Sequence, residues 1–101
     1  MKADSDGKSF GKLLGELILR KRRAAGLTQI QLAEDAYGTS SKTRRISELE
    51  GGKVASPHPA TIDPIISILK ITEADIEQCA KLASERPHMT RWMRLIATPG
   101  I

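Results

Sequence analysis

A single cysteine, Cys79, is all the sequence offers for cross-linking or thiolate ligation. An internal disulfide framework and a cysteine-based zinc cluster are therefore excluded. Aromatic residues are nearly as scarce. One Phe, one Tyr and one Trp do not make the stacking platform on which single-strand binders lay successive bases. The two histidines, His58 and His88, stand 30 positions apart, and neither has a His, Cys, Asp or Glu at a spacing that makes a metal site obvious. Long apolar runs are missing, and nothing approaches the ~20 residues that span a bilayer. Met1 to Ser9 is polar, which predicts no secretory leader. No phosphate-loop, nucleophile-elbow or H-E-x-x-H pattern occurs, and Asp63 with Asp75 or Glu77 has no spacing of a catalytic carboxylate pair. The expectation is a soluble cytoplasmic protein that is not an enzyme. No metal, cofactor, small-molecule substrate or membrane partner is expected.

What the sequence does have is positive charge, and it is concentrated. The chain of 101 residues carries a formal +4. Residues 8 to 53 hold ten Lys and Arg (Lys8, Lys12, Arg20 to Arg23, Lys42, Arg44, Arg45, Lys53) against five acids. The remainder is balanced or slightly acidic. A local positive field attracts polyanions, and duplex DNA is the commonest one for a small cytosolic domain. Charge alone leaves a second reading open, in which Arg20-Lys21-Arg22-Arg23 is a solvated helix end whose cations suit the dipole.

Forty per cent hydrophobic residues suffice for one core, and the apolar pattern has helical rather than strand period. Phe10, Leu13, Leu14, Leu17 and Ile18 form one stripe, with Ser9 as its cap and Gly26 as its stop, so a first helix runs to about Ala25. Thr28 caps a short second helix through Leu32, Ala33 and Ala36 to Gly38. The hydroxyls of Thr39, Ser40 and Ser41 are placed to cap a third, held to the core by Ile46 and Leu49 and stopped by Gly51-Gly52. Val54 to Pro59 reads as a loop. Thr61 caps a fourth helix, with Pro64 in its first turn and Ile62, Ile65, Ile66 and Leu69 on one face. Thr72 caps a fifth, with Ile76, Cys79, Ala80 and Ala83 inward and its end near Pro87. Thr90 can cap a short sixth carrying Trp92, Leu95 and Ile96. The fold class is all-α.

The informative stretch is Leu27 to Gly52. Two short helices joined by a polar turn, the second basic at its start and apolar on its opposite side, suit a major-groove reader. Gly26-Leu27-Thr28-Gln29, Leu32-Ala33, Ile46-Ser47 and Glu50-x-Gly52 resemble the Cro- and repressor-type helix-turn-helix proteins, the XRE family. Pro57 and Ile65 to Ile71 extend the likeness, which covers roughly residues 10 to 80. Ser41 to Glu50 looks like a subgroup in which this domain is the N-terminal part of a larger regulator. The pattern departs in one place. Ala33 to Ile46 is thirteen residues, three longer than in the family, so residues are inserted around Gly38 to Ser41. Either the turn is longer or the third helix gains a turn.

The resemblance implies a five-helix repressor-like bundle over residues 9–86, an N-terminal arm over 1–8, and a C-terminal tail or short helix over 87–101. It implies sequence-specific binding of double-stranded DNA by a transcriptional regulator, at a bacterial or phage-type nucleoid, with the third helix in the major groove. Base-reading positions fall on Thr43, Arg44, Ser47 and Glu48. Arg44 suits guanine O6 and N7, and Glu48 either accepts from cytosine N4 or pairs with Arg44. Gln29, Ser41, Lys42, Arg45 and Lys53 fall at phosphate-contacting positions, and Arg22 with Glu50 at a structural ion pair. Cys79, beside Ala80 in an apolar stripe, reads as a buried, inert thiol. Trp92, Met93 and Ile96 either finish the core, start an absent domain or form a homodimer seam; a late aromatic helix is a frequent anchor of the last kind. The alternative function is a protein-interaction module of the same fold, an antitoxin or sensor-coupled domain, with weak or no DNA binding.

Overall fold

A computed structural model describes residues 8–54 and 57–83, and these are all-helical. The order is α1 (Phe10–Ala24), α2 (Gln29–Tyr37), a 3-10 turn (Ser40–Lys42), α3 (Thr43–Glu50), α4 (Pro59–Leu69) and α5 (Glu73–Leu82). The candidate arm at 1–7 and the sixth helix with Trp92, Met93, Leu95 and Ile96 lie outside the described residues. α5 does not run on to Pro87 as the sequence suggests: it ends at Leu82, where Ala83 turns to an extended conformation (ψ 139°). Lys8, assigned by the sequence to the arm, sits 3.0 Å from Glu16 of α1.

The apolar stripes converge on one core. Leu14, Ile18, Leu32, Ile46, Ile62, Ile65 and Ile76 are fully buried, so each of the five helices contributes at least one. Burial of this kind, rather than helix propensity, holds elements as short as α2 and α3, since isolated helices of nine and eight residues are unstable in water. Four of the five stripe residues of α1 are buried, and Leu13 packs at the margin.

Local signals explain most boundaries. The Ser9 hydroxyl accepts from the Lys12 N–H and starts α1; Gly26 and Gly38 stand past the ends of α1 and α2 in left-handed conformation. Thr28 and Thr72 each head a capping box, with Gln31 and Asp75 respectively returning a bond to the cap N–H. Asp75 is held below the usual carboxylate range mainly by that backbone hydrogen bond from Thr72, with Lys21 3.7 Å away adding to it.

Three other sequence expectations are corrected. α4 starts at Pro59 rather than after Thr61. The His58 ring accepts from the Ala60 N–H, and Pro59 occupies the first helical position, where its missing N–H is no loss. Pro64 consequently lies inside α4, not in its first turn. The bond it forgoes would end on the carbonyl of Ala60, an exposed residue. Nor do the hydroxyls of Thr39 to Ser41 cap α3. Thr39 caps the 3-10 turn by accepting from the Ser41 N–H, and α3 has no side-chain cap, because the turn runs straight into it.

α1 packs most extensively on α3. The approach is closest at Gly15, where a Cβ would overlap the carbonyl oxygen of Leu49 and lie 3.2 Å from that of Glu50. A few residues on, Gly52 takes a left-handed turn (φ 74°) beside Lys12, and the N–H groups of Gly52 and Lys53 return to the carbonyls of Leu49 and Glu48. Gly15 therefore sets how deeply the end of α3 seats against α1. Alanine usually improves a helix by about 1 kcal/mol over glycine. Gly15→Ala should do the opposite and cost about 1–3 kcal/mol, because backbone has no rotamer by which to yield. Urea unfolding checks this; an unchanged or higher midpoint would refute the close packing.

Candidate nucleic-acid interface

α2 and α3, packed on each other across the turn, form a helix-turn-helix unit. Its hub is a carboxylate. Glu50, at the end of α3, is the one buried charged residue among those described, with a side chain only 4% exposed. Arg22 of α1 donates to both its oxygens, Nε to Oε2 at 2.6 Å and Nη2 to Oε1 at 3.0 Å. The third arm of the guanidinium, Nη1, donates to the Leu27 carbonyl in the α1–α2 link at 2.8 Å. Gln29, the first residue of α2, completes the set by donating from Nε2 to Glu50 Oε1 at 2.8 Å. A bidentate, charge-assisted pair with every arm used is the geometry in which buried charges are tolerated. It joins the end of α1, the start of α2 and the end of α3 at one point.

That geometry brings the Arg22–Glu50 pair together and changes what Gln29 can do. Its amide nitrogen is committed to Glu50. What α2 still presents outward are backbone N–H groups. Those of Thr28 and Gln31 serve the capping box, while those of Gln29 and Ile30 have no acceptor within the helix.

α3 turns Ile46 and Leu49 inward, leaving Arg44, Arg45 and Ser47 exposed and Thr43 and Glu48 half-buried. Ser41, Lys42, Arg44, Arg45 and Glu48 line one cleft of about 230 Å³ at the junction of the 3-10 turn and α3. The Arg44 side chain is 89% exposed, its Nε 3.3 Å from Oε2 of Glu48 one turn on. Thr43 spends its hydroxyl on the Ser40 carbonyl at 2.6 Å, and Ser41 accepts from the Thr39 hydroxyl at 3.1 Å. Lys53 is exposed just past α3, and neither it nor Gln29 lines the cleft.

Sequence reasoning passed over Tyr37. It ends α2, and its hydroxyl donates to the Thr61 carbonyl of α4 at 2.7 Å, tying the helix-turn-helix unit to the rest of the bundle. Burial raises its pKa, an effect that nearby Arg45 partly offsets. An isolated aromatic in a polar stretch carries no sequence signal for such a bond. The Gln31 half of the capping box was passed over too, although the run Thr28-Gln29-Ile30-Gln31 carries its signal.

Elsewhere, Cys79 is buried, which pushes its thiol pKa up, with Arg20 opposing and Asp75 and Glu16 adding. His58 is exposed at its cap, and His88 lies outside the described residues. Among the described residues no three His, Cys, Asp or Glu side chains group as a metal site, and no helix is long and apolar enough to cross a membrane.

Over 62 residues the chain is 47% identical to an uncharacterized HTH-type transcriptional regulator, RghRB, of Bacillus subtilis (strain 168). The match covers 61% of this chain and 40% of that relative's length. No protein-family model and no solved structure matches the chain.

Two outcomes follow from the buried contacts. Glu50→Leu strands a buried guanidinium and should cost about 3–5 kcal/mol, whereas adding Arg22→Met to it should recover most of that loss. A double-mutant cycle by denaturant unfolding measures it, and small, additive single effects would contradict the network. As the one tyrosine of the chain, Tyr37 can be titrated by its absorbance near 295 nm. Since the folded state holds its proton more tightly, stability falls as pH rises through about 10, the unfolded value, towards the higher folded value. A folded midpoint at or below that of the denatured chain would show that the phenol is not held.

Proposed function

We propose that the chain is a DNA-binding domain of a transcriptional regulator of the Cro- and repressor-type (XRE) family, with α3 in the major groove of duplex DNA. One observation carries this reading: Lys42, Arg44 and Arg45 are exposed around one cleft at the start of a helix whose opposite side is anchored by Ile46 and Leu49. A groove about 12 Å wide accepts a helix presented in this manner. The name of the Bacillus relative supports the same class.

In this reading Thr43, Arg44, Ser47 and Glu48 face base edges, with Arg44 on guanine. Ser41, Lys42, Arg45 and Lys53 take phosphates, setting register without reading sequence. Gln29 contributes to a phosphate through its backbone N–H at the positive end of α2, because its amide holds Glu50. The three extra residues between α2 and α3 are absorbed as the 3-10 turn, which adds Ser41 and Lys42 to the cleft. Residues 9–86 act as the binding domain and residues 1–8 as an arm. A homodimer through residues 87–101 would place two such domains on half-sites about one helical turn apart. The protein works at the nucleoid by occupying DNA, with no reaction to catalyse.

Fluorescence anisotropy on a pool of random duplexes at two salt concentrations, with sequencing of the retained fraction, tests the proposal. A steep salt dependence with an enriched motif is expected. Arg44→Ala should lose about 1–3 kcal/mol of discrimination at one position, whereas Lys42→Ala should weaken all duplexes alike and lower the salt slope by about one. Absence of binding at either salt would reject DNA in favour of a protein-interaction module.

A further inference from the structure

One side chain in the α3 cleft has the wrong sign for a polyanion. Glu48 stands among Lys42, Arg44 and Arg45, with its carboxylate 3.3 Å from the Arg44 guanidinium. Helix stability does not account for the pair. Arg44 lies in the first turn of α3 and Glu48 in the last, so both charges oppose the helix dipole. Their order, cation before anion at i,i+4, is also the weaker of the two orders. With Arg44 89% exposed, the pair is further screened by water. A surface meant only to hold phosphates would gain by losing this carboxylate.

We infer that Glu48 is a selectivity residue that acts by exclusion. Its carboxylate repels phosphate and occupies Arg44, so the cleft holds generic backbone poorly. It gives up Arg44 only where two adjoining base pairs offer both partners at once: an exocyclic amino group, as on cytosine N4, for the carboxylate, and the O6 and N7 acceptors of guanine for the guanidinium. A step with a C·G pair adjoining a G·C pair supplies them. The inference rests on the DNA-binding reading and goes beyond it. It makes discrimination depend on a cost imposed on every other sequence, as well as on the hydrogen bonds made to the right one.

The test uses the full chain and Glu48→Gln, which keeps the shape of the side chain and removes its charge. Far-UV circular dichroism melting confirms that the variant folds. Both proteins are titrated into the random duplex pool at two salt concentrations, and the retained duplexes are sequenced. The variant should bind the pool about fivefold more tightly. Its salt slope should steepen by about 0.9, because the released Arg44 takes a phosphate. Its enriched motif should lose the cytosine preference at one position. In an Arg44→Ala background the steepening should vanish. The inference is overturned if the variant binds the pool no more tightly, retains the wild-type motif, or steepens equally without Arg44. A wild-type protein that retains no duplex at all would instead overturn the DNA-binding reading, and this inference with it.

Discussion

The Glu50 carboxylate is the point on which the arrangement of the first three helices depends. It sits at the end of α3 with almost no exposure, and its charge is tolerable there only because Arg22 grips both oxygens and Gln29 supplies a further donor. The same guanidinium holds the Leu27 carbonyl, so the link between α1 and α2 is tied to the far end of α3. Buried pairs of this kind add little net stability compared with apolar packing, but a partner out of place leaves a stranded charge. A register or orientation of α3 that separates Glu50 from Arg22 is therefore heavily disfavoured. The network fixes geometry more than it supplies energy.

Van der Waals contact works in the same direction. Gly15 lets the backbone of α1 meet the carbonyls of Leu49 and Glu50, next to the ion pair, so the end of α3 is seated by contact and by charge together. Its other end has neither. α3 starts from a 3-10 turn without a side-chain cap, and Lys42, Arg44 and Arg45 project from that start. A helix held at its end and presented at its beginning suits a surface that must stay in place while its first turn reaches a ligand. Tyr37, bonded to the Thr61 carbonyl, carries the same rigidity from α2 into α4.

The outward face of α3 was legible in advance. The residues at the exposed start of α3 were identifiable because Ile46 and Leu49 fix which side faces the core, and a helix then assigns its neighbours to faces by its 3.6-residue period. The Arg22–Glu50 pair came from resemblance, not from spacing, since nothing in the sequence shows that positions 28 apart touch. Gln29 illustrates the limit. As the first residue of a helix it has the composition of a phosphate contact, yet its amide points inward to a carboxylate 21 positions away.

By itself the sequence determined the all-helical class, the inward face of each helix and most of the caps. Those properties follow from local periodicity and from groups within four residues of one another. It misplaced the start of α4 because two prolines read as loop, although the second is well suited to a first helical turn once His58 caps it. Only the tertiary structure decided which outward side chains keep their hydrogen-bonding groups for a partner, where α1 and α3 come close enough to demand glycine, and that Tyr37 links α2 to α4. Each of these depends on atoms distant in sequence, brought together by a core that any well-patterned set of apolar residues could drive but that only specific contacts orient.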